Sequence, residues 1–521
     1  MANVARRQVV KPTNRSKGGF FIEVGCPGCG AELELQENFF VITCTHCGSC
    51  LRVVMPDVPV AYLVKGELPG NEIRFRIDRL LKDRKLPLTG SDLQVKSLYY
   101  PFWKIDAMVV KVRNRIQRRE IRPPSEYSDG QYMERETSDI GVSPYTISVA
   151  AGSRMDGIPA SLGMRSEYIR MYPYSKEAIQ ESFDTLPVVR SPEDVQTNVV
   201  MNLISLGESD INAVGINKTE LFHPKFSLVF FPYYIVESYD GGGYGRYLLD
   251  GVSGRVLHFR HPLDKGDKSA QEPINADGFS DMRMSEGWEG SVFDAFPDSV
   301  WDDLTRADND EETEIAASCP VEFGALGVEF HRCPTCGQDL PGRQSHMYIC
   351  RNCQEPVMLE RPPFPLEGIW RTTIDEHRGD RLFPFWSFKI SGARSPMMRR
   401  LFGGIFNSDR LVIPAFRMPN FEAMYRLAKR MSAASPKLDM VTVDAVDKHF
   451  VPVDVGMSNA LTMADLVIYR EMLNRDQNSS PREEAFAPEE VSLVFASFHP
   501  QSYFYVDSLL GAVTFEKTGV G

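Results

Sequence analysis

Eight cysteines in two sets constrain this chain more than any other feature. Cys26, Cys29, Cys44 and Cys47 leave 14 residues between their pairs, and Cys333, Cys336, Cys350 and Cys353 leave 13, so both sets read C-x2-C, gap, C-x2-C. Two residues between thiols let one tight turn aim both sulfurs at a common point, and a gap of this size admits a short hairpin that returns with the second pair. The spacing predicts two four-cysteine zinc ribbons, each holding one Zn2+ ion through bonds of ~2.3 Å. Disulfides are the competing reading. The amino terminus, MANVARRQVVKPTNRS, is polar and basic without a signal-type apolar core, so a cytoplasmic location is expected, where disulfides seldom persist.

A site closed by four thiolates keeps no open position for water or substrate, so each ion is expected to staple the fold and not to catalyse. Gly30, Gly48 and Gly337 directly follow the second cysteine of a pair, where the turn favours a residue tolerant of positive φ; Gln354 breaks that pattern. Cys50 and His46 are near enough in sequence to compete as ligands, with Cys44 and Cys47 preferred because the second set repeats their spacing. Cys319 has no partner and reads as a buried thiol.

Each ribbon is followed by the same landmarks in the same order. LYYPFWKI at 98–105 answers RLFPFWSFKI at 381–390, FHPKFSLVF at 222–230 answers FAPEEVSLVF at 486–495, and YLLDGVSGRV at 247–256 answers FYVDSLLGAV at 504–513. The offset between copies falls from 306 residues at Cys47/Cys353 through 283 at Pro101/Pro384 to 257 at Gly254/Gly511, so insertions interrupt the repeat. An internal duplication is the economical account. Asp250 and Asp507 are placed to bond a turn backbone that Gly254 and Gly511 close. Strands rich in Val, Phe, Tyr and Trp, with helical spacing at Lys176 to Phe183, Val199 to Leu206, Phe421 to Met431 and Leu461 to Leu473, make the fold class α+β with antiparallel-β-rich domains.

A chain of 521 residues with 43% hydrophobic and 25% charged residues is long enough for several cores. The expected organisation is a basic flexible tail at 1–18, ribbon one at 19–56, an α+β domain at 57–261, an acidic polar connector at 262–318, ribbon two at 319–360 and a second α+β domain at 361–521. The most apolar run, Phe226 to Val236, is about half the ~20 residues a membrane helix needs, and Pro232 interrupts it. No transmembrane segment is expected, which leaves peripheral membrane association open.

The formal net charge of -12 opposes general nucleic-acid binding. A local exception is the possible anion-binding set Lys111, Arg113, Arg115, Arg118, Arg119 and Arg122, which also fits the solvated face of a sheet. The tail bases Arg6, Arg7, Lys11, Arg15 and Lys17 are read the same way, with disorder as the alternative. Tyr99, Tyr100, Phe102, Trp103, Phe383, Phe385 and Trp386 could form a ligand platform, although core packing is the stronger reading. GGGYGR at 241–246 fits no phosphate-loop or dinucleotide fingerprint, GINKT at 215–219 lacks the leading glycine of a phosphate loop, and the adjacent Asp375, Glu376 and His377 would not converge on a metal. No catalytic residue is assigned.

At CPTCGQDL, RLFPFW and LVIPAFRMPNFEAMYRLAKR the second half resembles bacterial zinc-ribbon proteins with Tyr/Phe-Pro-Phe-Trp β segments, often labelled primosomal-helicase-like. That resemblance implies a ribbon joined to β segments without helicase activity, since every motor motif is missing, and an accessory role near membrane-stress systems. The expected function is a non-enzymatic zinc-binding adaptor or scaffold for a protein partner. The alternatives are a nucleic-acid-binding module that uses a ribbon and the basic strand, and an enzyme whose site assembles only in three dimensions.

Overall fold

The computed structural model describes residues 21–263 and 322–517. Within the first range 37–38, 57, 67, 91–92, 123–130, 156, 163–169, 176–178, 180–182, 200–217, 241–242 and 262 are not described, and within the second 361–363, 373–377, 391–408, 435–440, 443–448, 476–487 and 509–513. For strand residues within 113–139, and for 21, 36, 218–219, 239–240, 243–244, 434, 441–442 and 475, only the backbone is described. The basic tail, connector residues 264–318, Cys319 and the Asp375, Glu376, His377 run therefore lie outside the described residues.

The architecture is mixed α+β with strands dominant. Both halves are built around a central strand made by a Ser-Leu-Val-Phe segment. In the first half Lys218–Asp240 runs antiparallel to Leu93–Arg122 along one edge; the other edge takes Val60–Leu63 in parallel and then Gly243–Asp250 antiparallel. In the second half Glu490–Gln501 takes Arg381–Lys389, Leu366–Arg371 and Phe504–Asp507 in the same senses. The registers also coincide. Pro101 faces Phe230 and Trp103 faces Leu228, as Pro384 faces Phe495 and Trp386 faces Leu493. Tyr233 faces Asp250 as Phe498 faces Asp507.

The prolines occupy strand interiors, not the edges or beginnings that proline ordinarily takes. The reason is a change of partner along one edge. Leu93–Arg122 pairs with Phe183–Thr185 up to Tyr99 and with Gln131–Ala150 from Phe102 onward, so Pro101 and its missing N–H fall at the handover. Its carbonyl accepts from Ala151 N at 2.9 Å, and the Pro384 carbonyl accepts from Ala415 N at 2.9 Å.

The aromatic-proline strands are core. Tyr99, Tyr100, Phe102, Trp103, Phe383, Phe385 and Trp386 are all buried, which rules out a ligand platform at these side chains. Each indole also has a polar anchor: Trp103 Nε1 donates to the Arg190 carbonyl at 2.9 Å and Trp386 Nε1 to the Val455 carbonyl at 2.8 Å. Burying a large ring while satisfying its one donor fixes the segment that supplies the carbonyl.

The helix Phe421–Ala434 forms where periodicity predicts one, with the Asn420 side chain accepting from Ala423 N at 2.8 Å as its N-cap. Met457–Arg475 likewise contains the expected Leu461 to Leu473. One expectation is corrected. Phe183 belongs to the strand Phe183–Thr185, because it packs on Tyr99 and Tyr234 in the first core. Residues 192–199 are helical, and 200–206 of the expected Val199 to Leu206 helix lie outside the described residues. The helix Gly70–Asp83, which buries Ile73, Ile77 and Leu81 at four-residue spacing, went unread because arginines crowd its other positions.

The halves pack on each other. Val110, Val112 and Phe222 of the first sheet meet Leu466, Tyr469 and Leu473 of the Met457–Arg475 helix. Tyr469 Oη donates to Glu220 at 3.0 Å, and Lys225 Nζ donates to Asn459 at 2.9 Å. His223 takes φ 45° at the bulge between Phe222 and Lys225, and that bend places its Nε2 against the Asp465 carboxylate.

Candidate metal centres

Each cysteine pair sits in a small backbone loop, and the four loops are alike. The amide of Cys26 donates to the Ala31 carbonyl at 2.9 Å while that of Gly30 returns to the Cys26 carbonyl at 2.8 Å. The same two bonds recur at Cys44 with Gly48, Cys333 with Gly337 and Cys350 with Gln354. Closing the loop requires a left-handed residue: Gly30, Gly48 and Gly337 take φ of 72°, 76° and 75°. Gln354 takes φ 62° despite its side chain, whose amide donates to the Arg351 carbonyl at 3.0 Å. The fourth pair thus departs from the others in residue and not in conformation.

These loops bring together Cys26, Cys29, Cys44 and Cys47, and separately Cys333, Cys336, Cys350 and Cys353, with all sulfurs of a set within 4.8 Å of one another. The closest separations are 3.7 and 3.8 Å in the first set and 3.6 and 3.5 Å in the second. A tetrahedron with metal–sulfur bonds of ~2.3 Å has edges of about 3.8 Å, so both sets fit one metal ion each. His46 is exposed and Cys50 lies outside the set; neither joins.

The polar surroundings favour thiolate at Cys47 in the first set and at Cys336 and Cys333 in the second. The Ser49 hydroxyl, 3.3 Å from the sulfur, leads in lowering Cys47 to about 6, and the Asn352 side chain leads in lowering Cys336 to about 6. Backbone hydrogen bonds from Ala31 and Glu355 act to lower Cys29 and Cys353 as well, yet burial and the neighbouring sulfurs outweigh them and raise both thiols to about 12. Without an ion, four adjacent thiolates repel, so the set is held together only by a cation or by protons.

The centres are not independent. Cys50–Val54 from ribbon one pairs with Val41–Thr43 on one side and, on the other, with Gly327–Phe330, the strand that leads into ribbon two. His331 N donates to the Cys50 carbonyl at 2.9 Å, and Arg52 forms an ion pair with Glu329. Gln344, which gave no signal in the sequence, works as a clamp: its Oε1 accepts from Phe40 N and Val41 N, both at 3.2 Å, and its Nε2 donates to the Val41 carbonyl. The Phe40 and His346 rings lie 4.0 Å apart.

Lys111, Arg113, Arg115, Arg118, Arg119 and Arg122 fall on the single strand Leu93–Arg122, paired with Gln131–Ala150. Alternation divides the six: Lys111, Arg113, Arg115 and Arg119 share one face, Arg118 takes the other, and Arg122 follows a register shift after Glu120. The Asp250 carboxylate accepts from Val252 N and Ser253 N at 3.0 and 2.7 Å, beside Gly254 at φ 66°, which is the expected turn role. Residues 243–246 of the glycine-rich run are in strand, as are Lys218 and Thr219 of GINKT.

No helix among the described residues is long and apolar enough to cross a membrane. No protein-family model, no curated protein and no solved structure matches the chain.

Proposed function

We propose that this chain is a non-enzymatic cytoplasmic adaptor in which two zinc-stapled ribbons, mounted on two α+β bodies that arose by internal duplication, present a surface to another protein. The observation that carries the reading is the joint sheet of the ribbons and the apolar end it leaves outside. Met55 is 60% exposed, Val54 41% and Phe39 37%. Val53 N donates to the Phe40 carbonyl, so Phe39 and Val54 are next in line across the ladder. Adjacent exposed apolar side chains on a rigid support are the mark of a protein contact.

Zinc is the ion that suits a closed four-thiolate set. The coincident registers around both Ser-Leu-Val-Phe strands support duplication, because one-residue slips would turn every side chain to the opposite face. An accessory role near membrane-stress systems rests on the quoted resemblance alone.

The test is affinity capture from native lysate with the parent chain and a V54E/M55E variant, with metal measured on both. The reading expects one defined protein and about two zinc ions on the parent, and loss of the protein with the zinc retained on the variant. Capture unchanged by the substitutions would remove this surface, and turnover by the partner-free protein would remove the adaptor reading.

A further inference from the structure

The outward side of the helix Gly70–Asp83 is not an ordinary solvated face. Ile73, Ile77 and Leu81 bury one stripe, while Asn71, Phe75, Arg79 and Lys82 recur on the opposite stripe and are exposed. Phe75 is 58% exposed at the middle of that stripe. The loop after the helix folds back along it: Thr89 donates from N and Oγ1 to the Asp78 carboxylate at 3.1 and 2.6 Å, and Arg74 donates to the Gly90 carbonyl at 2.8 Å. Asp78 is one turn from Phe75, so the fold-back carries Leu88, 57% exposed, alongside the same stretch of helix. On the other flank the turn after Asp250 abuts Leu68 and Arg76 at Gly254, and its Val252 is 44% exposed.

Cations surround these apolar side chains. Arg79, Lys82, Arg84 and Lys85 are exposed, against a single exposed carboxylate within 71–88, Asp83. Among the described residues none of the four forms an ion pair, whereas Arg76, further round the helix, pairs with Glu72 at 2.8 Å. The chain itself supplies the complement. Residues 293–314 read FDAFPDSVWDDLTRADNDEETE, which sets nine carboxylates and one cation, Arg306, among Phe293, Phe296, Trp301 and Leu304. The segment that contains them joins the first half at both ends. It departs at Leu263, 49% exposed, just after the strand Val256–Arg260, whose Phe259 ring lies 5.5 Å from the Arg84 guanidinium. It returns at Phe323, whose ring packs on Tyr174 and Phe230. Phe293 is 30 residues past Leu263, and that many residues reach about 30 Å even as a random coil, more than the ~21 Å length of the helix.

We propose that residues 293–314 dock on this outward face of the Gly70–Asp83 helix, their aromatic side chains against Phe75 and Leu88 and their carboxylates on Arg79, Lys82, Arg84 and Lys85. Opposite charge selects the occupant, and exposed apolar side chains at the centre of the basic face give its aromatic residues a seat. The tether makes the contact intramolecular, at an effective concentration on the order of millimolar, so individually weak contacts suffice. An anionic bilayer would meet the same cations, but stable insertion takes a larger apolar belt than Phe75, Leu88 and Val252 provide. The proposal goes beyond the adaptor reading and uses a different surface from Val54 and Met55.

The test is photocrosslinking of the full chain carrying Phe75→p-benzoylphenylalanine, in about 50 mM salt, with the products mapped by mass spectrometry. The main product joins position 75 to residues 293–304 of the same chain. D294N/D298N/D302N/D303N lowers its yield at least about fivefold, as does raising the salt to about 0.5 M. Tyr503→p-benzoylphenylalanine, at a site 81% exposed on the second half, gives no such product. A labelled peptide of residues 291–314 binds the quadruple variant at least about tenfold more tightly than the parent, because the parent's own segment competes. Adding R79E/K82E to the quadruple variant weakens peptide binding at least about fivefold. If circular dichroism or metal content shows that combination unfolded, the crosslink and the peptide competition decide alone. Products only at other segments, products joining two chains, a yield unchanged by the asparagine substitutions, or equal peptide binding by parent and quadruple variant would each overturn the proposal. Phosphatidylserine vesicles bound as tightly by the parent as by the quadruple variant would show the face uncovered, and would overturn it too.

Discussion

Single residues set the geometry of the metal loops, and two of them are matched in conformation but not in kind. Gly337 and Gln354 close equivalent loops at φ 75° and 62°. A Cβ in the left-handed region costs roughly 1–2 kcal/mol, so Gly337→Ala is expected to lower stability by about 1 kcal/mol in a denaturant melt. Gln354→Gly should leave metal content unchanged, since the backbone conformation is already that of glycine. A second residue-scale effect concerns Glu367, held below the usual carboxylate range by the Ser492 hydroxyl, 2.7 Å away, and by Arg410. A carboxyl lowered in the folded state contributes stability above its unfolded value, and that contribution is lost as pH falls through the folded one. Glu367→Gln should therefore reduce the fall in stability below about pH 4.3, measured by urea unfolding across that range.

At the scale of elements, the two aromatic-proline strands do the same work twice. Trp103 and Trp386 are fully buried, face a leucine of Ser-Leu-Val-Phe and anchor a following segment through the indole N–H. Either tryptophan changed to alanine is expected to cost about 3–5 kcal/mol by chemical denaturation, and the two losses should be similar. A small or strongly unequal pair of losses would mean that the matching registers do not carry matching energy. The tripeptides around these prolines were readable in the sequence as strands. Their central position was not, because the handover between Phe183–Thr185 and Gln131–Ala150 depends on segments more than thirty residues away.

Across the whole molecule, the two ribbons meet in one sheet, and their stability is expected to be shared. Removing metal with a chelator should expose the amides of Val41–Thr43, Cys50–Val54 and Gly327–Phe330 to hydrogen exchange together; exchange confined to one ribbon would show them to be separate. Acidification should release metal as well, since protons compete for every thiolate. The sequence alone determined the two four-cysteine groups, because C-x2-C spacing is a local constraint that each loop satisfies with its own backbone. It also determined the α+β class, through periodicity and composition. Only the tertiary structure decided that ribbon two lends a strand to ribbon one, that Gln344 clamps them, and that the basic strand separates its charges onto two faces. Those outcomes follow from pairing between distant segments, and a strand's sequence does not name the partner whose register it will accept.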